Sequence, residues 1–244
     1  KNKKTTAPNS SRRKFVKNAA LALGGITIVP RHVLGRGFIA PSDKLNIAAI
    51  GAGGKGASDI ANAWDNGANN VVALCDVDFA RAKASTDKFP TAKKYADFRV
   101  MLEEMKNDID AVTISTPDHV HGMAAMAAMQ LGKHVYVQKP LTHNIREARM
   151  LTEAARKYKV VSQMGNQGAS NPTQKQMMAW LDKGLVGKVH TVYIWTNRPV
   201  WPQGIPVPTE KPALPESMSK ENWDLFIGPA DYVDYHPLYH PFKW

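Results

Sequence analysis

A doubly wound α/β fold around a parallel sheet is predicted by three features of this 244-residue chain. Short apolar runs alternate with helix-patterned stretches from residue 45 onward. A glycine-rich loop follows the first run directly, and an aspartate closes the second. That alternation implies strand–helix–strand crossovers in one sheet.

The first run, 45–50, is short and largely apolar and ends in glycines, as suits a strand buried on both faces. Similar runs follow at 71–75, 111–115, 135–137 and 160–164. Helical patterns fill the gaps at 56–64, 79–88, 98–105, 120–131 and 145–158. Met123, Met126 and Met129 recur every three residues and read as one packed helix face. After Met164 the pattern changes. Residues 171–181 read as a helix and 189–196 as a strand with alternating side chains. A stretch with Pro199, Pro202, Pro206, Pro208, Pro212 and Pro215 comes next, then an end rich in aromatic and histidine residues. These shifts predict a tail at 1–41, a first domain at 42–167 and the start of a second at 168–244, whose 77 residues make a poor core alone. The chain, beginning at Lys1, reads as a fragment.

With 43% apolar and 22% charged residues, the composition excludes a disordered or collagen-like chain. No apolar run reaches the ~18 residues that a membrane-spanning helix requires. Cys75 is the single cysteine, so no internal disulfide forms, and no Cys/His cluster has zinc spacing: no metal site is expected. The net charge of +11 sits mostly in residues 1–44, with ten Lys/Arg against one Asp. The remainder holds 22 Lys/Arg and 20 Asp/Glu, which argues against nucleic-acid binding by the folded body. The tail has its own layout. Ser11-Arg12-Arg13-Lys14-Phe15-Val16-Lys17 precedes an uncharged stretch, 18–29, and Pro30. Paired arginines before such a stretch resemble a twin-arginine export signal. That predicts passage through the twin-arginine machinery and a periplasmic or exported location. The bland alternative is a solvated basic arm beside a short helix.

Gly51-Ala52-Gly53-Gly54-Lys55-Gly56 matches G-x-G-x-x-G between a predicted strand and a predicted helix, the context in which the motif is informative. Gly51 would allow the tight turn, Gly53 close approach to a pyrophosphate, and Gly56 close helix–strand packing. Asp76, 25 residues beyond Gly51, stands where a carboxylate accepts the ribose hydroxyls of an adenosine. NAD is therefore the expected cofactor. NADP stays open, because Lys55 and Arg81 can bring positive charge near the 2′ position. The competing reading is a glycine turn with a helix-capping aspartate.

Two further strand ends carry polar residues where ligands bind in open α/β sheets: Ser115-Thr116-Pro117-Asp118-His119-Val120-His121 and Val137-Gln138-Lys139-Pro140-Leu141-Thr142-His143. Lys139, leaving a buried strand, suits a proton donor or acceptor for an alcohol beside nicotinamide; the alternative is a solvated strand-end lysine. His119 and His121 read equally well as cofactor neighbours and as groups that cap a helix or bond to backbone.

Together the glycine loop, Asp76, Thr116-Pro117-Asp118-His119 and Gln138-Lys139-Pro140 resemble the glucose–fructose oxidoreductase/inositol dehydrogenase (Gfo/Idh/MocA) family. The likeness covers 45–244, including Gly184-Leu185-Val186-Gly187-Lys188-Val189 and Trp223-Asp224-Leu225-Phe226-Ile227-Gly228-Pro229-Ala230. The resemblance implies a Rossmann domain followed by an α/β domain with a largely antiparallel sheet that mediates oligomerisation. It implies that Lys139 orients nicotinamide and contacts the reacting hydroxyl. Ser115, Thr116, Pro117, His119 and His121 would flank the cofactor, and Asn166 or Gln167 would close over nicotinamide. Gln138 stands where the family usually has Glu, which removes a charge but keeps hydrogen bonding. The family's further Asp-x-x-x-His pair is absent from this chain.

The function expected is an NAD(P)-dependent oxidoreductase moving a hydride between nicotinamide and a hydroxyl of a sugar, cyclitol or glycoside, in a homo-oligomer. A glycosidase acting by oxidation and elimination, and a noncatalytic nucleotide-dependent binding protein, are the alternatives. Trp195, Trp201, Trp223, Tyr232, Tyr235 and Tyr239 read either as sugar-stacking groups or as core and interface.

Overall fold

The computed structural model describes residues 43–197, 204 and 206–239. The tail at 1–41 and Trp201 lie outside the described residues. Six parallel strands form one sheet: β1 (Asn46–Ile50), β2 (Asn70–Cys75), β3 (Lys93–Tyr95), β4 (Ala111–Ile114), β5 (His134–Gln138) and β6 (Ser162–Gly165). Their order is β3-β2-β1-β4-β5-β6. The order reverses beside β1, where doubly wound sheets open a ligand crevice. The helices on the sheet are α1 (Lys55–Trp64), α2 (Lys83–Lys88), α3 (Phe98–Glu104), α4 (His121–Gln130) and α5 (Ile145–Tyr158). Beyond them come α6 (Pro172–Asp182) and α7 (Lys220–Ile227).

Alternation along β1 explains the layering. Ala48 and Ile50 point into a large core with Met101, Leu102, Val112, Ile114, Met129 and Val137. Ile47 and Ala49 point the opposite way, into a smaller core with Ile60, Leu74 and Phe89. A strand apolar on both faces needs helices on both, and it has them. α3 starts where the Asp97 carboxylate accepts from Arg99 N–H, and α5 where Asn144 accepts from Glu147 N–H.

Several expectations change. β3 was not foreseen: three residues with two lysines lack an apolar run, and the strand pairs at the sheet edge on β2 alone. The helix expected at 79–88 is regular only from Lys83, because Asp78 organises a turn first, accepting from Ala80 and Arg81 N–H. The methionine face is not uniform. Met129 is buried, Met126 packs partly, and Met123 is exposed, since a spacing of three drifts around a 3.6-residue helix. Residues 189–196 form no strand: none of the described strands pairs with them in a ladder, and Tyr193, Ile194 and Trp195 are exposed.

α7 is built from local signals. The Ser219 hydroxyl accepts from Asn222 N–H at its start, and Trp223, Phe226 and Ile227 fall on one face. That face forms a third cluster with Met218, Val77, Leu214, Tyr235 and Tyr239. Trp223 stacks on Phe226 at 5.0 Å, meets Tyr235 edge-on at 5.1 Å, and donates its indole N–H to Val233 O at 2.9 Å. Asn222 donates to Val77 O at 2.9 Å, fastening the helix to the loop after β2. Trp223→Ala should cost about 3 kcal/mol locally. Limited proteolysis should then cut within 218–239 before urea unfolds the sheet; simultaneous loss of both would contradict a separately anchored segment.

Candidate functional site

The carboxyl ends of β1, β2, β4 and β5, together with α7, enclose a cavity of about 620 Å3. That size lies within the range of small-molecule and cofactor sites. Its walls are best understood loop by loop.

After β1, Gly51 N–H donates to Cys75 O at 2.8 Å, and the chain turns with Gly51 at φ 80. A Cβ on Gly51 would stand 2.7 Å from the carbonyl carbon and oxygen of Ser115. One on Gly56 would run into the carbonyl oxygen of Gly51. Only glycines let α1 sit this close to the strand ends. α1 opens at Lys55 without a side-chain cap, and Gly53, Gly54 and Lys55 face the cavity. An uncapped helix start behind a glycine turn presents N–H groups and the positive end of the helix dipole to an anion such as a pyrophosphate.

Asp76 holds this loop. Its Oδ2 accepts from Ala52 and Gly53 N–H, each at 2.9 Å, and its Oδ1 accepts from Asp78 N–H at 2.9 Å. Of about four lone-pair positions on a carboxylate, three are taken, so the room for ribose hydroxyls is narrower than expected from sequence. Burial raises the Asp76 carboxyl above its usual value, while the three N–H donors pull it back. Burial pushes the neighbouring Cys75 thiol well up, with Asp76 and Asp97 adding to the effect.

A polar network lies at the next strand ends. Asp59 of α1 is buried and forms an ion pair with Lys55. Its Oδ2 accepts from Ser115 Oγ at 2.7 Å and from Gln138 Nε2 at 2.8 Å. Lys139 follows Gln138 on the rim, exposed. His121 is buried with Nδ1 2.6 Å from Pro140 O and Nε2 2.9 Å from Thr116 O, tying the loops after β4 and β5 together. His119 turns away: its Nε2–H donates to Phe226 O at 2.8 Å, and its ring meets Phe226 edge-on.

Of the residues singled out in sequence, Gly51, Gly53, Gly54, Lys55, Asp76, Ser115, Thr116, Pro117, His121, Gln138 and Lys139 line the cavity. Gly56 lies behind it as packing. His119, Asn166 and Gln167 are not on its wall; Gln167 donates to Tyr136 Oη at 2.8 Å and Asn166 is exposed. Sequence reasoning missed Asp59, which reads as an ordinary helix acid. It also missed Arg99, paired with Asp97 at 2.9 Å, and Asp224, Leu225 and Phe226 of α7 as cavity wall. Among the described residues no three His, Cys, Asp or Glu gather as a metal site, and no helix is long and apolar enough to cross a membrane.

The Asp76 geometry gives a pH signature. A carboxyl that holds its proton more tightly when folded loses stability as pH rises from its usual 3.8 to its higher folded value, and is level above that. Urea titrations from pH 3.5 to 7 should show the stability difference moving in favour of Asp76→Asn across that window. A flat difference would show that the three donors fully offset burial.

The comparisons agree with this geometry. A model of the Gfo/Idh/MocA oxidoreductase family, NAD-binding Rossmann fold, matches residues 45–166, half of the chain. The uncharacterized oxidoreductase YrbE of Bacillus subtilis (strain 168) is 27% identical over 176 residues, covering 72% of this chain and 51% of YrbE. Inositol 2-dehydrogenase of Salmonella typhimurium is 30% identical over 120 residues, 48% of this chain and 35% of that protein. D-glucoside 3-dehydrogenase of Escherichia coli (strain K12) is 29% identical over 168 residues, 68% and 46%. The chain thus spans about half, or less, of these relatives' lengths. In fold it resembles myo-inositol 2-dehydrogenase from Lactobacillus plantarum, with a TM-score of 0.54 and 22% identity over 60% of this chain and 43% of that one. A match across the whole six-stranded unit, glycine cradle included, makes the chain a member of the Gfo/Idh/MocA oxidoreductase family, with its NAD-binding Rossmann fold.

Proposed function

We propose that this chain is the cofactor-binding part of a nicotinamide-dependent oxidoreductase that moves a hydride between the cofactor and a hydroxyl of a sugar, cyclitol or glycoside. The observation that carries the reading is the cavity at the strand ends, with a glycine cradle and uncapped helix on one side and Lys139 on the other. The relatives named as inositol and glucoside dehydrogenases support the substrate class. NAD or NADP, when bound, supplies the hydride chemistry. The protein's own groups hold and orient it: Gly51, Gly53, Gly54 and Lys55 at the phosphates, Asp76 at the ribose, Ser115, Thr116, Pro117 and Gln138 beyond. Lys139 manages the proton of the reacting hydroxyl.

The remaining assignments are part of the same proposal. Residues 1–41 act as a twin-arginine signal, supported by Arg12-Arg13 and the uncharged stretch after them, for a periplasmic or exported protein. Residues 42–167 are the cofactor domain, and 168–244 begin a second, sheet-containing domain that carries substrate contacts and oligomerisation. Exposed Met177, Met178, Trp180 and Leu181 on α6 support a further packing layer there.

Native mass spectrometry of the purified protein, with the released small molecule identified, tests the cofactor; an empty protein that ignores added NAD and NADP overturns the reading. For the chemistry, Lys139→Ala should keep cofactor affinity within a few-fold. Turnover of a responsive polyol should fall about a hundredfold or more. Unchanged turnover would remove Lys139 from the proton path.

A further inference from the structure

We infer that Asp59 is a positioning residue that supplies a fixed negative charge beneath the cofactor's nicotinamide end, biasing the site toward the oxidised, cationic form. The inference rests on the nicotinamide reading above. Asp59 is buried, and every contact it makes is to a donor: Lys55 at one oxygen, Ser115 Oγ and Gln138 Nε2 at the other. A group that only accepts is an ionised carboxylate. Its ion-pair partner, Lys55, has a side chain 49% exposed, so water screens the cation more than the anion.

Gln138 passes the charge on. The carboxylate orients the carboxamide, drawing Nε2 toward itself at 2.8 Å and leaving Oε1 as the opposite end. Oε1 makes no protein hydrogen bond among the described residues. No buried side-chain oxygen or nitrogen among them lacks a partner. Oε1 is therefore accessible to solvent, on a residue that is 6% exposed and lines the cavity. With Nε2 at the carboxylate, the amide dipole has its negative end on the side away from Asp59, so charge and dipole point the same way. The neutral residue at 138 does not leave this end of the site uncharged, because the charge stands one hydrogen bond further back, on α1.

The oxidised and reduced cofactors share adenosine and pyrophosphate and differ by the positive charge on the ring. The ratio of their dissociation constants therefore isolates this effect from general damage to the site. Calorimetric titration with NAD+ and with NADH would be run on the wild type, Asp59→Asn, Lys55→Met and the exchange Asp59→Asn/Gln138→Glu; the phosphorylated pair is used if that is what binds. Asp59→Asn should weaken NAD+ relative to NADH by about tenfold, the scale of one charge at cavity distance. Lys55→Met, which unmasks the carboxylate, should shift the ratio a few-fold the other way. The exchange keeps both the charge and the hydrogen bond, and should return the ratio to within about threefold of wild type.

Equal changes in both affinities on Asp59→Asn, or none, would reduce Asp59 to a structural role and overturn the inference. If that variant does not fold, Lys55→Met decides alone, and an unmoved ratio there overturns it. A wild type that binds neither form fails earlier, at the cofactor reading, before any variant is compared.

Discussion

At the carboxyl edge of a parallel sheet the chain must leave each strand with backbone N–H groups that no ladder satisfies, and burying them unpaired is costly. Asp76 meets this constraint at three positions at once, receiving Ala52, Gly53 and Asp78 N–H. The grip sets the glycine loop against the end of β2, and Gly51 and Gly56 then admit α1 to the same spot. Remove the acceptor and the loop has no reason to hold its turn. The buried Asp59 repeats the device one strand over, with side-chain donors in place of backbone ones. Two acids, each drawn from water by donors, thus shape the cavity floor from β2 to β5.

The wall opposite has a different physical basis. α7 is held by apolar burial, with Trp223 between Phe226 and Tyr235, and hydrogen bonds involving Asn222 and His119 reach the loops beneath it. Its contribution to the cavity depends on contacts between residues more than a hundred positions apart in sequence.

That separation explains what the sequence made legible. Five of the six strands were readable: β1, β2, β4 and β5 carry short apolar runs, and β6, Ser-Gln-Met-Gly itself, is announced by Val160 and Val161 just ahead of it. β3 was hidden by its lysines, since an edge strand needs little apolar patterning. The glycine loop and Asp76 were readable because their meaning lies in local spacing. Asp59 was not: its contacts to Ser115 and Gln138 span 56 and 79 residues, and nothing near it marks a charge turned inward. His119 and His121, two residues apart, could not be separated by pattern. The fold sends one to α7 and the other between two carbonyls. Residues 189–196 alternate like a strand, yet no described strand forms a ladder with them, and alternation alone does not make one.

His121 gives the cavity an asymmetry. The buried ring fills the space between Thr116 O and Pro140 O, with a ring nitrogen near each, and so packs between the loops that follow β4 and β5. The other flank is built differently: there the eight-residue α7 rests chiefly on an aromatic cluster, with hydrogen bonds through His119 and Asn222. The two flanks of the cavity thus differ in kind: polar contacts around one ring on the first, apolar packing of a separate helix on the second.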